Sequence, residues 1–430
     1  MIGSRVRSLL PEGGFARSVA QVAGGTALGQ ILALSVTPIL SRVYEPDAFG
    51  RFAVFASLVL VLASIASLRY ELAIPLPVAQ RDAHVVVFLS LIIVIGTTAF
   101  VSVVAGAAMA LGWSPADRAL VWLFALSFLA AGFQAVMISS AAREGRFVSI
   151  GRARIGKSIG QATGQVSFGL VQPSAGSLAI GLLAGQAVGM IVAAGPVLQR
   201  LVREPLPGVS ELKLQAVRFR KFPLVSTWSA LLSSASLYGP PLAIAALYGV
   251  VPAGFLALAQ RVVGNPLNLL RDAVTQTIVG EGPRRLRNSP ADLASLHDAV
   301  RRRLMLVGLP LVAALALLAP LTFSWLFGRG WSEAGIYAIA LAPGLLGQFV
   351  GAPLSQFLIA LERQHLQLAW DVARLVIVGG CLVVGYTLGV SSSGAIFILG
   401  LSSLAAYAVL ISLVARTVAR AAGVRVQMGA

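Results

Sequence analysis

Apolar runs long enough to cross a bilayer recur along this whole chain, each parted from the next by a short polar break. A hydrocarbon slab about 30 Å thick takes roughly 20 apolar residues to cross as a helix. Hydrophobic residues make up 57% of the sequence, charged residues 11%, and the mean hydropathy is +0.86. A water-soluble surface has to be polar somewhere, and this composition leaves too little polar sequence to cover one. The expected fold is an all-α membrane protein whose solvent is the bilayer. Reading runs against breaks predicts twelve helices, near residues 18–43, 49–77, 84–112, 118–142, 148–171 and 176–199, then 222–248, 252–279, 303–327, 333–360, 366–389 and 393–416.

The formal charge of +17 is the one feature that suggests nucleic acid. No stretch interleaves basic and aromatic residues in a soluble module, so no nucleic-acid partner is expected. Lys and Arg collected on cytoplasmic loops explain the charge instead. Cys381 is alone inside an apolar run, which excludes disulfides and cysteine-ligated metals. The first apolar segment is full length and has no typical cleavage site, so no cleavable signal peptide is expected.

Orientation follows from the loops. With the N-terminus in the cytoplasm and strict alternation, only Arg42, Arg51, Arg118 and Arg329 of the 33 Lys and Arg fall outside, and Arg261 and Arg374 fall inside the slab. A missed or invented helix would invert that distribution for everything after it, so twelve spans with both ends inside is the consistent register. The expected location is a bacterial inner membrane. The outer loops (EPDAFG, WSPAD, QPSAGS, LYGVVPAG, FGRGWSEAG, GVSSSG) are too short to fold as a catalytic domain. The organisation predicted is an N-terminal six-helix bundle at 1–199, a cytoplasmic linker at 200–221, a C-terminal six-helix bundle at 222–416 and a cytoplasmic tail at 417–430.

The two halves share a pattern. PILSRVYEPDAFGRF at 38–52 resembles PLAIAALYGVVPAGFL at 241–256, with Pro38, Tyr44 and Gly50 matched by Pro241, Tyr248 and Gly254. Six helices per half make this a parallel repeat, related by a pseudo-twofold axis along the membrane normal. Two similar hairpins marked by Pro and Gly would give the same match.

The first hairpin, with SRVYEPDAFG followed by RYELAIPLP, resembles the opening of the Wzx-type polysaccharide flippases. These belong to the multidrug/oligosaccharidyl-lipid/polysaccharide exporter superfamily. AREGRF at 142–147 and GFLALAQRVVGNPLNLLRDAVTQ at 254–276 are similar to later landmarks of that family. The chain departs from it in having only Lys157, Lys213 and Lys221 as lysines, so any lysine role passes to Arg. The resemblance implies a flippase that works by alternating access through a cationic central cavity. It would move an undecaprenyl-pyrophosphate-linked oligosaccharide from the cytoplasmic to the periplasmic leaflet, for O-antigen, exopolysaccharide or capsule assembly. It implies no cofactor. Membrane lipids, a polysaccharide polymerase and chain-length proteins are the other partners it suggests.

Passing a pyrophosphate and a glycan through hydrocarbon calls for a polar, cationic lumen. An ionised side chain at mid-membrane costs about 2.5–3.5 kcal/mol or more unless it faces water or a partner. Arg261 stands about nine residues into its helix, with Asn265 one turn on and Pro266 loosening the backbone. Arg154, Lys157, Gln161 and Gln165 form a stripe on the fifth helix, either a binding face or interhelical glue. Gln30 (with Gln21) on the first helix and Arg374 on the eleventh complete the substrate-facing candidates. Asp371 and Arg374, three apart, are placed to pair. Arg69 with Glu71, and Arg271 with Asp272, flank the inner ends of the second and eighth helices, as gate residues or as interfacial charges that snorkel.

Enzymatic constellations are missing: His84, His297 and His365 lie far apart, and no metal-ligand spacing, GxSxG or P-loop occurs. Two other classes compete with the flippase. An ion-coupled drug/cation antiporter of the same superfamily would use buried acids, whereas Arg is at least as prominent inside this slab. A glycan polymerase or ligase would carry a long outer loop.

Overall fold

A computed structural model of the chain describes residues 14–111, 118–203, 205–272, 274–275, 278, 290–361 and 363–423. The WSPAD loop and Arg5, Arg7, Arg284, Arg285, Arg287 and Arg425 lie outside the described residues, as do the side chains of Arg17 and Gln21. All regular structure within the described residues is helical. The helices are α1 (Gly14–Val43), α2 (Pro46–Ala63), α3 (Gln80–Ala110), α4 (Arg118–Arg143), α5 (Phe147–Val171), α6 (Ala175–Arg203) and α7 (Val209–Arg218). They continue as α8 (Phe222–Tyr238), α9 (Pro240–Tyr248), α10 (Val250–Ala259), α11 (Pro290–Thr322), α12 (Ser332–Leu354), α13 (Gln364–Thr387) and α14 (Ser392–Ala421).

Within the described residues a helix stands at each predicted span, with bounds that differ in places. By length and apolarity alone, nine helices among the described residues are able to cross a membrane, and ten if the bent pair α8–α9 is one span. The count of twelve is therefore not reached on apolarity. Helix α5 carries Arg152, Arg154, Lys157, Gln161 and Gln165, and the run from Val250 is interrupted by a π-turn at Gln260–Gly264.

Three predicted elements differ in detail. The second helix, expected over 49–77, ends at Ala63 and passes through Leu68 (φ 49°) and Arg69 (φ 66°) into a short 3₁₀ turn, Tyr70–Ala73. Two successive left-handed non-glycine residues cannot continue a right-handed helix. The seventh bends by 57° between Tyr238 and Pro240, because Pro240 and Pro241 cannot donate to the turn before them. The linker holds a helix of its own, α7. Leu212 and Ala216 pack it against the core around Tyr70, Val86 and Phe128. Arg81 bonds both carboxylate oxygens of Glu211 at 3.0 and 2.8 Å, and Arg218 reaches Asp82 at 3.3 Å.

The chain forms two compact units: Met1–Val36 with Phe55–Ser234, and Thr37–Val54 with Ala235–Ala430. The second unit thus includes the tip of the first hairpin, which the sequence-based division put with the N-terminal helices. An aromatic cluster explains this. Trp331, 2% exposed, donates its indole N–H to the Ser41 carbonyl at 2.8 Å. It packs edge-on against Phe49 at 5.0 Å and Phe255 at 6.0 Å. Below it α2 and α10 cross at the paired glycines. A Cβ on Gly50 would strike the Val250 carbonyl, and one on Gly254 would strike the Pro46 carbonyl. Each glycine meets the residue four before its counterpart. Reciprocity of that kind is what a two-fold relation between repeated hairpins requires.

Candidate functional site

In the first unit the polar stripe of α5 lies in a tight seam. Glycines repeat every fourth residue on both partners, Gly156, Gly160 and Gly164 on α5 and Gly181, Gly185 and Gly189 on α6. Small residues at that spacing let helix backbones touch. A Cβ on Gly185 would lie 2.6 Å from the Lys157 carbonyl oxygen and 2.7 Å from the Gln161 Cβ, and one on Gly164 would lie 2.9 Å from the Gly181 Cα. Gln165, fully buried, donates to the Leu178 carbonyl at 3.3 Å. Lys157 Nζ donates to Gln134 Oε1 on α4 at 3.4 Å, and Arg154 donates to the Thr26 hydroxyl on α1. Gln30 is half-buried, and its Oε1 finds no hydrogen-bond partner among the described residues. Sequence reasoning missed Gln134, whose only signal was being an amide alone in an apolar helix.

The break after α2 gathers two of the quoted motifs. In RYELAIPLP, Arg69 closes on Glu71 at 3.4 Å, and buried Glu71 accepts from the Ser67 hydroxyl. Arg143 of AREGRF donates to the carbonyls of Ile74 (3.1 Å) and Pro77 (2.7 Å), supplying donors that the broken helix lacks. Tyr70 ties the same turn to α7 through the Ala216 carbonyl at 3.0 Å.

The second unit holds the remaining candidates. Arg261 is half-buried on the π-turn, and Asn265 caps that turn. Pro266 lacks the N–H that would bond the Val262 carbonyl, which explains a π-turn at this place. Arg271 and Asp272 pair at 3.3 Å. Asp371 is buried, 7% exposed, yet it forms no ion pair with Arg374 within the usual 4.0 Å among the described contacts. Arg374 instead lies over the rings of Trp370 (5.1 Å) and Tyr407 (5.4 Å) and donates to the Tyr407 hydroxyl. Trp370 is itself fixed by its indole N–H on the Ala406 carbonyl at 2.8 Å. Arg374 and Tyr407 line a cavity of about 180 Å³, which Ser236, Gln260, Gln348 and Ser403 also line. Among the described residues, no three His, Cys, Asp or Glu come together as a metal site.

Helices that break or bulge beside half-buried cations, in two compact units, have the fold of the multidrug/oligosaccharidyl-lipid/polysaccharide exporter superfamily. Its solved relatives include an inward-facing multidrug resistance MATE family transporter. That structure matches at a TM-score of 0.71 and 17% identity, over 91% of this chain and 95% of its own. Lipid II flippase MurJ in an inward closed conformation matches at 0.70 and 12% identity, over 91% and 87%. A Pyrococcus furiosus transporter of the superfamily, described as having a binding pocket of reverse polarity, matches at 0.59 and 15%, over 94% and 95%. No curated protein sequence matches the chain significantly. The profile of the polysaccharide biosynthesis protein family matches residues 39–336, and the chain belongs to that family. The likeness to Wzx-type flippases read from its motifs agrees with this membership.

Proposed function

We propose that the protein flips an undecaprenyl-pyrophosphate-linked oligosaccharide from the cytoplasmic to the periplasmic leaflet of a bacterial inner membrane, with both termini in the cytoplasm. The glycan would serve O-antigen, exopolysaccharide or capsule assembly. Membership of a polysaccharide biosynthesis family, on a fold that a lipid II flippase also has, carries this reading. Arg261 with Asn265, and Arg154 with Lys157, are the cationic and amide groups we assign to the pyrophosphate and the first sugar. Arg69–Glu71 and Arg271–Asp272 are the pairs assigned to opening and closing by alternating access. Removing the gene should leave lipid-linked repeat units on the cytoplasmic face. Arg261→Ala should abolish complementation while the protein still inserts into the membrane. Wild-type polysaccharide yield from that variant would sink the role of Arg261. Unchanged periplasmic glycan assembly in the deletion strain, with no paralogue present, would sink the function itself.

A second reading, an ion-coupled drug/cation antiporter, draws on the likeness to the MATE transporter. The charged side chains lining the second unit's cavity speak against it, since they include Arg374 and no Asp or Glu. Ion-dependent drug efflux by the purified protein in vesicles would favour it.

A further inference from the structure

Arg374 stands in a place no exporter of lipid-linked sugars obviously needs filled. The cavity it lines lies wholly within the second unit, and its volume is about 180 Å³. A cavity of about 150 Å³ takes a benzene-sized guest, so this one has room for a small ion together with a few waters, and an oligosaccharide is far too large for it. The guanidinium carries five N–H donors in a fixed fork. One goes to the Tyr407 hydroxyl, and no other acceptor takes part among the described residues. Trp370 and Tyr407, their ring centroids 5.0 Å apart, lie together on one side of the group, and with the Tyr407 hydrogen bond they set its orientation. The amides of Gln260 and Gln348 and the hydroxyls of Ser236 and Ser403 stand in the same wall. The Ser236 hydroxyl already donates to the Asp371 carbonyl at 3.4 Å, which leaves the two amides and the Ser403 hydroxyl as groups able to donate to a guest.

We propose that this cavity is a binding site for a small monovalent anion, of chloride to nitrate size, held by the edge of Arg374. Pro240 and Pro241 leave the carbonyls of Ser236 and Leu237 without helical donors, and alone those dipoles would draw a cation. A full positive charge in the same wall, with no carboxylate among the lining residues, decides for the anion. Asp371, the nearest acid on α13, is not one of those residues, and Arg271 is closed on Asp272. The irregular backbone around the cavity fits an ion site: the 57° bend opens it between α8 and α9, and Gln260 begins the π-turn. In membrane proteins irregular backbone occurs where it lines a cavity. The site does not depend on which substrate the protein carries.

The test is a thermal-unfolding titration of the full-length protein in detergent. Sodium nitrate, chloride or gluconate is varied at constant ionic strength, and choline then replaces sodium at fixed anion. Nitrate and chloride should raise the midpoint saturably, by a few degrees, and gluconate should not. Arg374→Gln should lose the shift and Arg374→Lys should keep a weaker one, since a lysine is a point charge without the fork. Gly379→Leu should also lose it. Gly379 lines the cavity and has open space where a side chain would grow, so this variant fills the room and leaves Arg374 in place. A shift that persists unchanged in both Arg374→Gln and Gly379→Leu overturns the proposal. So does its absence from the wild type, or a shift that follows sodium rather than the anion. Lipid-linked substrate transport is scored separately in cells, so failure here leaves the flippase reading standing.

Discussion

The seam between α5 and α6 and the cavity beside α13 use the same kinds of residue to opposite ends. Both set a basic side chain among amides inside apolar helices. In the seam, glycines on the facing helix bring the backbones together, and the polar side chains bond neighbouring helices: Gln165 to Leu178, Lys157 to Gln134, Arg154 to Thr26. Around the cavity the helices bend or bulge instead, and Arg374 lies against two aromatic rings and lines open space. The type of polar residue therefore does not tell a closed contact from an open one. What the neighbouring helix offers opposite it does.

One substitution, made in both places, should have opposite signs. Gly185→Ala puts a methyl 2.6 Å from a backbone carbonyl oxygen. Overpacking of this kind costs about 1–3 kcal/mol, and a backbone neighbour has little room to yield, so the upper part of that range is expected. Gly379→Ala meets nothing within 4 Å. It should gain about 0.5–1 kcal/mol from the better helix propensity of alanine. Thermal midpoints of the purified proteins check both. Equal midpoints would mean the seam is looser than its glycines indicate, and the comparison would fail.

Lys157 tests whether the seam is glue throughout. Its bond to Gln134 is long, at 3.4 Å, and Lys157 itself is half-buried. Lys157→Met keeps the stem and removes the charge. On the proposed role in pyrophosphate binding, transport should fall about tenfold, the equivalent of ~1.4 kcal/mol, with little change in midpoint. A lower midpoint with proportionate loss of transport would place Lys157 with the structural residues.

The sequence was most readable where one physical rule governed a long stretch. Twenty apolar residues make a helix in a bilayer, so the spans stand where the runs do. The Gly50 and Gly254 repeat was visible because both residues are fixed by the same crossing. Proline marked the bend at Pro240 and the π-turn before Pro266 for the same local reason. Legibility failed where the outcome depended on partners distant in the chain. Spacing placed Asp371 and Arg374 on one face, but the Tyr407 hydroxyl and ring, 33 positions away, claimed Arg374. Helix α2 reads as continuous, and nothing in SLRYELAIP announces left-handed residues at Leu68 and Arg69. The turn that follows them is held by Arg143 and Tyr70 contacts that reach across 66 or more positions. The division at 199 and 222 missed that Trp331 holds Ser41, 290 positions earlier.

The smallest expected effect concerns the other polar groups that the first unit turns on itself, the ion pairs holding α7. The two hydrogen bonds from Arg81, with the Gly208 N–H, hold the Glu211 carboxyl below the usual glutamate range. A carboxyl with a depressed folded-state pKa adds stability that is fully present above its unfolded value and is lost as pH falls through the folded one. The α7 clamp should therefore be indifferent to acidification from neutrality down to the ordinary glutamate range, and should loosen progressively as pH falls through that range and below it. Hydrogen exchange across Val209–Arg218, corrected for the intrinsic pH dependence of the rate, reads this directly. Glu211→Gln should exchange faster at neutral pH, with the wild type converging on it in acid. Exposed ion pairs contribute little, so the change should stay confined to α7 and leave the α5–α6 seam protected. Loosening that spread into the seam would show that the first unit's polar contacts act as one network, and its contrast with the cavity would then rest on cooperativity rather than on local packing.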